Sequence, residues 1–67
     1  MYVISIESNG ETLRVLVITE TAEIAVAKAY ARAKDVFSCA LPDTLEEAYA
    51  SENIAIIVDG MVDEVLD

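Results

Sequence analysis

The chain of 67 residues contains no histidine, no tryptophan and a single cysteine, and these absences remove most catalytic chemistry. Without histidine, the commonest general base and metal ligand is missing. Cys39 has no histidine to activate it, so we interpret it as a small structural thiol rather than a nucleophile. A lone cysteine forms no internal disulfide, which indicates a reducing compartment, and we expect the cytoplasm.

Glycine and proline are also scarce, at two residues and one, so most of the chain should lie in helices and strands. The apolar runs at 54–58 and 15–18 are far too short for a membrane span, and no basic leader segment follows Met1. A chain with 55% hydrophobic residues is too apolar for an acidic disordered tail. We therefore predict one small domain over residues 1–67 that is not an enzyme and holds no cofactor and no metal.

Two segments rich in β-branched residues, 2–7 and 12–19, predict strands that form a hairpin. Asn9-Gly10 between them is a strong signal for a type I′ turn, because both central residues of that turn need positive φ. With this loop, Ile6 faces Leu13, Ile4 faces Val15 and Tyr2 faces Val17. All six side chains then fall on one face, and a slip by one residue would scramble both faces.

Residues 21–37 are rich in alanine and predict the main helix, with Thr19 or Thr21 as its cap. One side of this helix is apolar at helical spacing and should pack on the apolar face of the hairpin. Its members are Ala22, Val26, Ala29, Tyr30, Ala33 and Phe37. Another side should face solvent and holds Lys28, Arg32 and Asp35.

Residues 43–49 predict a short second helix. Thr44 and Glu47 have the spacing of a capping box, in which each side chain supports the first turn of the helix. Leu45 and Tyr49, four residues apart, are its expected apolar anchors.

A second pair of strands is predicted near the end of the chain, at 53–58 and 61–66, joined by the type I′ signal Asp59-Gly60. A tight loop there would pair Val58 with Met61, Ile56 with Asp63 and Ile54 with Val65. An acid on an otherwise apolar face protects a sheet edge from aggregation, so the last strand should be short and lie at an edge. The fold class predicted is α+β in ββααββ order, with an antiparallel sheet of three or four strands from two hairpins. One long helix covers one face, beside one short helix.

The opposite face of this sheet is also apolar. It would carry Val3, Leu16, Ile18, Ile57 and Val62. A lone monomer rarely exposes so much apolar surface, so we expect a homodimer or a protein partner to cover it.

Positive charge is absent from the last thirty residues, 38–67, which contain eight acids, so −8 of the net charge of −9 lies there. Such a field repels nucleic acid and acidic membranes and attracts basic protein surfaces. We predict no direct nucleic-acid binding, no membrane binding, and a partner-binding surface made of the acids. They are Asp43, Glu46, Glu47, Glu52, Asp59, Asp63, Glu64 and Asp67.

Three other interpretations of this acidic half stay open. The acids can be a solvated surface that only keeps the protein soluble. Asp59, Asp63, Glu64 and Asp67 could hold a hard cation, although their spacing is not that of an EF-hand loop. Paired carboxylates can also hydrolyse glycosides, but a chain this small has little room for a substrate cleft.

Carboxylates on a rigid hairpin and a short helix can replace phosphates. Alternate strand residues lie about 6.6 Å apart and DNA phosphates roughly 6–7 Å apart, so both can fill the same lysine and arginine sites. In size, acidity, lack of catalytic residues and hairpin–helix layout, the whole chain resembles the small phage-encoded inhibitors. These include DNA-mimic anti-CRISPR and anti-restriction proteins and small inhibitors of host polymerase. The resemblance is one of character without a shared motif, so no functional residue is carried over from it.

The resemblance implies a non-catalytic inhibitor in the host cytoplasm. Such a protein would use its acidic half to occupy the basic, nucleic-acid-binding surface of a CRISPR, restriction or polymerase component. The alternative is a small structural or regulatory module that binds its own copy or another protein through the apolar sheet face. In that case the acidity is incidental.

Overall fold

The computed structural model of the chain describes residues 1–58 and 64–66. Its elements are β1 (Tyr2–Ser8), β2 (Glu11–Val17), α1 (Ala22–Val36), α2 (Leu45–Ala50), β3 (Ile54–Val58) and β4 (Glu64–Leu66). The strands form one sheet of four in the order β3-β1-β2-β4. The predicted α+β class and ββααββ order are confirmed. In this described part, neither helix is long and apolar enough to cross a membrane.

The hairpin of β1 and β2 has the predicted register along its whole length, from Tyr2 opposite Val17 to Ser8 opposite Glu11. The backbone of the turn explains this, because Asn9 has φ of 51° and Gly10 has φ of 83°. Positive φ at both residues is what a type I′ turn requires, and its twist matches that of the strands. The side chains predicted for the inner face are buried except Tyr2, which is half-buried.

Helix α1 begins after Thr21, whose hydroxyl accepts a hydrogen bond from the N–H of Ile24 at 3.3 Å. The predicted stripe is buried at Val26, Ala29, Tyr30, Ala33 and Phe37. Ala22, at the first position of the helix, is exposed, and Ala25 is fully buried although the prediction left it out. The small side chains at 25, 29 and 33 form one row, which lets the helix backbone approach the sheet closely.

Thr44 caps helix α2 as predicted, but the Glu47 carboxylate accepts from the Thr44 hydroxyl rather than from the Thr44 backbone N–H, as it would in a capping box. The Thr44 hydroxyl accepts from the N–H of Glu47 at 3.2 Å and donates to the Glu47 carboxylate at 3.2 Å. Of the two predicted anchors, Leu45 is confirmed because it packs against the core, and Tyr49 is wrong because it is 62% exposed. Ala48 is fully buried instead. Positions 48 and 49 lie on opposite sides of position 45, about 60° and about 40° round the helix from it, and the core is on the side of position 48.

The predicted second hairpin is wrong, and with it the wholly antiparallel sheet. β3 pairs antiparallel with β1, so Ile56 faces Ile6 and Ile54 faces Ser8. β4 pairs parallel with β2 at the opposite edge. This arrangement gives both central strands a partner on each side, which a separate hairpin could not do. The predicted turn and partners at 59–63, including Val62, lie outside the described residues.

The core lies between α1 and one face of the sheet, where Ile4, Ile6, Val15 and Val17 have no exposed surface. β4 is an edge strand of three residues, as predicted.

Neither helix covers the other face, and we call its described apolar side chains the open sheet face. Three of these side chains are about half exposed, Ile57 at 55%, Val65 at 56% and Ile18 at 47%. The other two, Val3 and Leu16, are half-buried. The pairs Val3–Leu16 and Leu16–Val65 place three of them in one row across β1, β2 and β4.

We expect Phe37→Ala to lower the free energy of unfolding by about 3–5 kcal/mol, because it empties a large site in the core. Phe37 is 9% exposed and follows directly after α1. Val36→Ala is the matched control, since Val36 is 45% exposed and should change stability by roughly 0.5 kcal/mol or less. Urea unfolding followed by circular dichroism measures both. Equal small losses would contradict the buried placement of Phe37.

Candidate partner-binding surface

Four of the eight predicted acids lie around α2. They are Asp43, Glu46, Glu47 and Glu52, all exposed, and we call them the α2 acidic surface. Glu46 and Glu47 are in the first turn of the helix, where negative charge is favourable beside the free N–H groups. Among the described residues, neither the Glu46 nor the Glu52 carboxylate has a hydrogen-bond or ion-pair partner. Both charges are therefore free to act on an approaching molecule.

Tyr30 connects the α2 acidic surface to the core. Its side chain is only 4% exposed, and its hydroxyl donates a hydrogen bond to the carbonyl of Pro42, just before α2. Burial raises the pKa of Tyr30, and the negative charges of Glu47 and Asp43 raise it further.

Glu64 lies apart from the α2 acidic surface, on β4 at the far edge of the sheet. Arg32 of α1 binds its carboxylate twice, with 2.8 Å between Nε and Oε2 and 3.3 Å between Nη2 and Oε1. The hydrogen bond and the charge of Glu64 raise the pKa of Arg32. Arg32, expected in solvent, is therefore half-buried and ties β4 to α1. The remaining predicted acids, Asp59, Asp63 and Asp67, lie outside the described residues.

Sequence reasoning missed the role of Glu11. Its carboxylate accepts the backbone N–H groups of Ser38 at 3.0 Å and Cys39 at 3.2 Å. The backbone hydrogen bond from Ser38 is the main reason that the pKa of Glu11 is lowered. Glu11 thereby holds the connector that leads from α1 to α2, and we call this pair of hydrogen bonds the Glu11 clamp. One signal was present in the sequence. Glu11 is two residues before Leu13 and therefore lies on the same inner face of β2, where a carboxylate needs hydrogen-bond partners.

Cys39, whose backbone N–H is bound by Glu11, is half-buried and packs against the core. Its Sγ is 3.8 Å from the hydroxyl oxygen of Ser8, which is 2% exposed. Over residues 1–58 and 64–66, no three histidine, cysteine, aspartate or glutamate side chains come together as ligands of one metal ion would.

Comparisons with protein-family models, curated proteins and solved structures found no match for this chain. The basis for a function is therefore the charge and shape of the α2 acidic surface, the open sheet face and the edges of the sheet.

We expect Glu11→Gln to lower the urea midpoint at pH 7 and to flatten its pH dependence in acid. The pKa of Glu11 in the folded protein lies below its ordinary value of 4.5. Its stabilising effect is therefore complete above that value and is lost as the pH falls through the folded pKa. The variant and the wild type should converge in stability once Glu11 is protonated.

Glu7→Gln is the control, because Glu7 is exposed at the same end of the hairpin on the other face. Urea midpoints of all three proteins, measured from neutral to acid pH, test the difference. A Glu11→Gln curve that runs parallel to the wild type over this range would contradict the clamp.

Proposed function

We propose that the protein is a non-catalytic inhibitor whose α2 acidic surface binds a basic surface that another protein uses to hold nucleic acid. The observation that carries this proposal is the exposure of Asp43, Glu46, Glu47 and Glu52 around one short helix. In line with the resemblance to small phage-encoded inhibitors, the target is a CRISPR, restriction or polymerase component.

The spacing of these acids supports a joint action on a partner. All four lie within ten residues, 43–52, and no basic residue occurs anywhere in 38–67. Exposed charges act over about 8–10 Å at ordinary ionic strength, so an approaching surface meets their summed field. Carboxylates and phosphates accept the same charge-assisted hydrogen bonds from lysine and arginine. A surface that binds phosphates can therefore bind this one.

The α2 acidic surface is also held firmly, which lowers the entropy lost on binding. Ala48 and Leu45 pack the helix against the core. The connector before it is held by the hydrogen bond from Tyr30 to Pro42 and by the Glu11 clamp. Lys34 adds a contact from its Nζ to the backbone carbonyl of Asp43 at 3.4 Å, and leaves the carboxylate itself exposed.

The test is a pair of double variants with equal change in net charge. Glu46→Lys with Glu52→Lys alters the α2 acidic surface, and leaves Asp43 and the cap residue Glu47 intact. Glu7→Lys with Glu20→Lys is the matched control at exposed sites elsewhere. Each protein is used to capture partners from host lysate at low salt, and captured proteins are identified by mass spectrometry.

We expect the wild type and the control to capture nucleic-acid-handling proteins that added duplex DNA displaces. With the purified partner, the α2 variant should bind at least about tenfold more weakly, because repulsion replaces attraction at two sites. Equal weakening in both double variants would show that net charge alone acts. Capture that neither DNA nor high salt reduces would contradict the proposal.

A second candidate function is favoured by the open sheet face. Ile57, Val65 and Ile18 are each about half exposed there, and a contiguous apolar patch on a small protein marks an interaction surface. In this interpretation the chain is a structural or regulatory module that binds its own copy or another protein, and its acidity is incidental.

We expect Leu16→Glu to abolish such an association, because Leu16 is the middle of the row Val3–Leu16–Val65. Thr12→Glu is the control, since it adds the same charge at an exposed position of the same face. Sedimentation at micromolar concentration should show a wild-type and Thr12→Glu oligomer and a Leu16→Glu monomer. A monomeric wild type would remove self-association through this face.

A further inference from the structure

β3 has one edge that no described strand covers, because its neighbour in the sheet is β1 alone. The direction of its backbone groups follows from the first hairpin. In a two-residue turn the flanking residues, here Ser8 and Glu11, exchange hydrogen bonds, so the even residues of β1 bond to β2. The same alternation makes the even residues of β2 point away from β1. The bond from the N–H of Ile18 to the carbonyl of Leu66 agrees with this.

The odd residues of β1 must therefore bond to β3. Their partners there are Ala55, opposite Glu7, and Ile57, opposite Ser5. The N–H and C=O groups of the other β3 residues consequently point outward. Those residues are Ile54, Ile56 and Val58.

This edge lacks the features that usually protect an edge strand, such as charge, proline or very short length. The strand reads IAIIV, with no charged residue. Ile57 and Val58 point to opposite faces and are 55% and 61% exposed. At the other edge, β4 is three residues long and carries Glu64 paired with Arg32. Over residues 1–58 and 64–66, the sheet therefore has one protected edge and one edge that is open for strand addition.

The charges beside β3 select what can be added. Glu52 lies two residues before the strand, and α2, with Glu46 and Glu47, packs next to it. A strand along β3 would make about 17 Å of apolar contact, and its continuation past Ile54 would enter the α2 acidic surface. A second copy of this chain carries a net charge of −9 and is repelled, whereas a segment with lysine or arginine at its end is attracted.

We propose that β3 is a strand-addition site for an extended segment of the target that is apolar at its centre and basic at the end that continues past Ile54. This inference rests on the proposed function, because it names the part of the basic target that the protein binds. Backbone hydrogen bonds to Ile54, Ile56 and Val58 supply affinity. Ile57 and Val58 require apolar, preferably β-branched, side chains on both faces of the segment.

The test variant is Val58→Pro, which removes one outward N–H. Proline is tolerated at an edge strand where the N–H faces solvent, and little packing is lost at a side chain that is 61% exposed. Val58→Thr keeps the N–H and is the matched control. The probe is a short labelled peptide with a central run of valines and with lysines at both ends. A second peptide has the same centre with glutamates at both ends.

We expect the wild type and Val58→Thr to bind the lysine-ended peptide in fluorescence anisotropy. Val58→Pro should bind at least about fivefold more weakly, the effect of one backbone hydrogen bond. The glutamate-ended peptide should not bind. Amide hydrogen exchange on the wild type gives a second readout that needs no variant. The lysine-ended peptide should slow exchange at 54, 56 and 58 and leave 55 and 57 unchanged.

Equal affinity of Val58→Pro and Val58→Thr, with no alternating protection, would overturn strand addition even if the α2 acidic surface binds its target. Equal binding of the two peptides would overturn the requirement for a basic end on the added segment. A wild-type dimer that Val58→Pro alone dissociates would show that a second copy occupies the edge, which also overturns the proposal. The proposed function fails separately, when the two charge-reversal double variants capture partners equally.

Discussion

The rest of the structure depends on the turn at Asn9 and Gly10. Positive φ at both residues sets the register of β1 and β2, and the register sends one set of side chains to the core. A hairpin alone is marginally stable in water, so this apolar face needs cover. Helix α1 supplies the cover, and the last strands complete the sheet on each side. The open sheet face is the other consequence of the same register.

Three polar side chains add to the apolar packing that holds α2 and β4. Glu11 binds the backbone after α1, Tyr30 binds the carbonyl of Pro42, and Arg32 binds Glu64 on β4. Each joins residues far apart in sequence. Their combined effect is to hold α2 and β4 against a core that is small for one domain. The α2 acidic surface is thus carried by a fixed element rather than by a loop.

Two features that act over different distances lie on the β3 side of the molecule, the α2 acidic surface and the edge of β3. In the proposed function, the acids around α2 would act through solvent and favour basic partners before contact, with an effect on the association rate above all. The edge of β3 would act only at contact, through backbone groups and the exposed Ile57 and Val58. Charge without this edge would select partners by sign alone, and the edge without charge would add strands without discrimination. In the proposed function, their proximity makes binding specific for a segment that is both basic and extended.

Interactions within a few residues could be predicted from the sequence. The type I′ turn, the caps at Thr21 and Thr44 and the alternation of β1 and β2 are all local, and the structure confirms each. The acids of the α2 acidic surface were also predictable, because a short polar helix leaves them exposed. Tyr49 shows the limit of such reasoning, since the rotation of a six-residue helix depends on what it packs against.

Only the tertiary structure decided where β3 and β4 lie. The Asp59-Gly60 signal favoured a local hairpin, but pairing each strand with a different edge of the central hairpin satisfies more backbone groups. The same placement brings Glu64 into an ion pair with Arg32. It also leaves the outward N–H and C=O groups of β3 unpaired within the described residues. The Glu11 clamp is likewise a contact across 27 residues. Strand pairing and long-range contacts depend on competition between residues that are distant in sequence. A local sequence pattern contains no information about that competition.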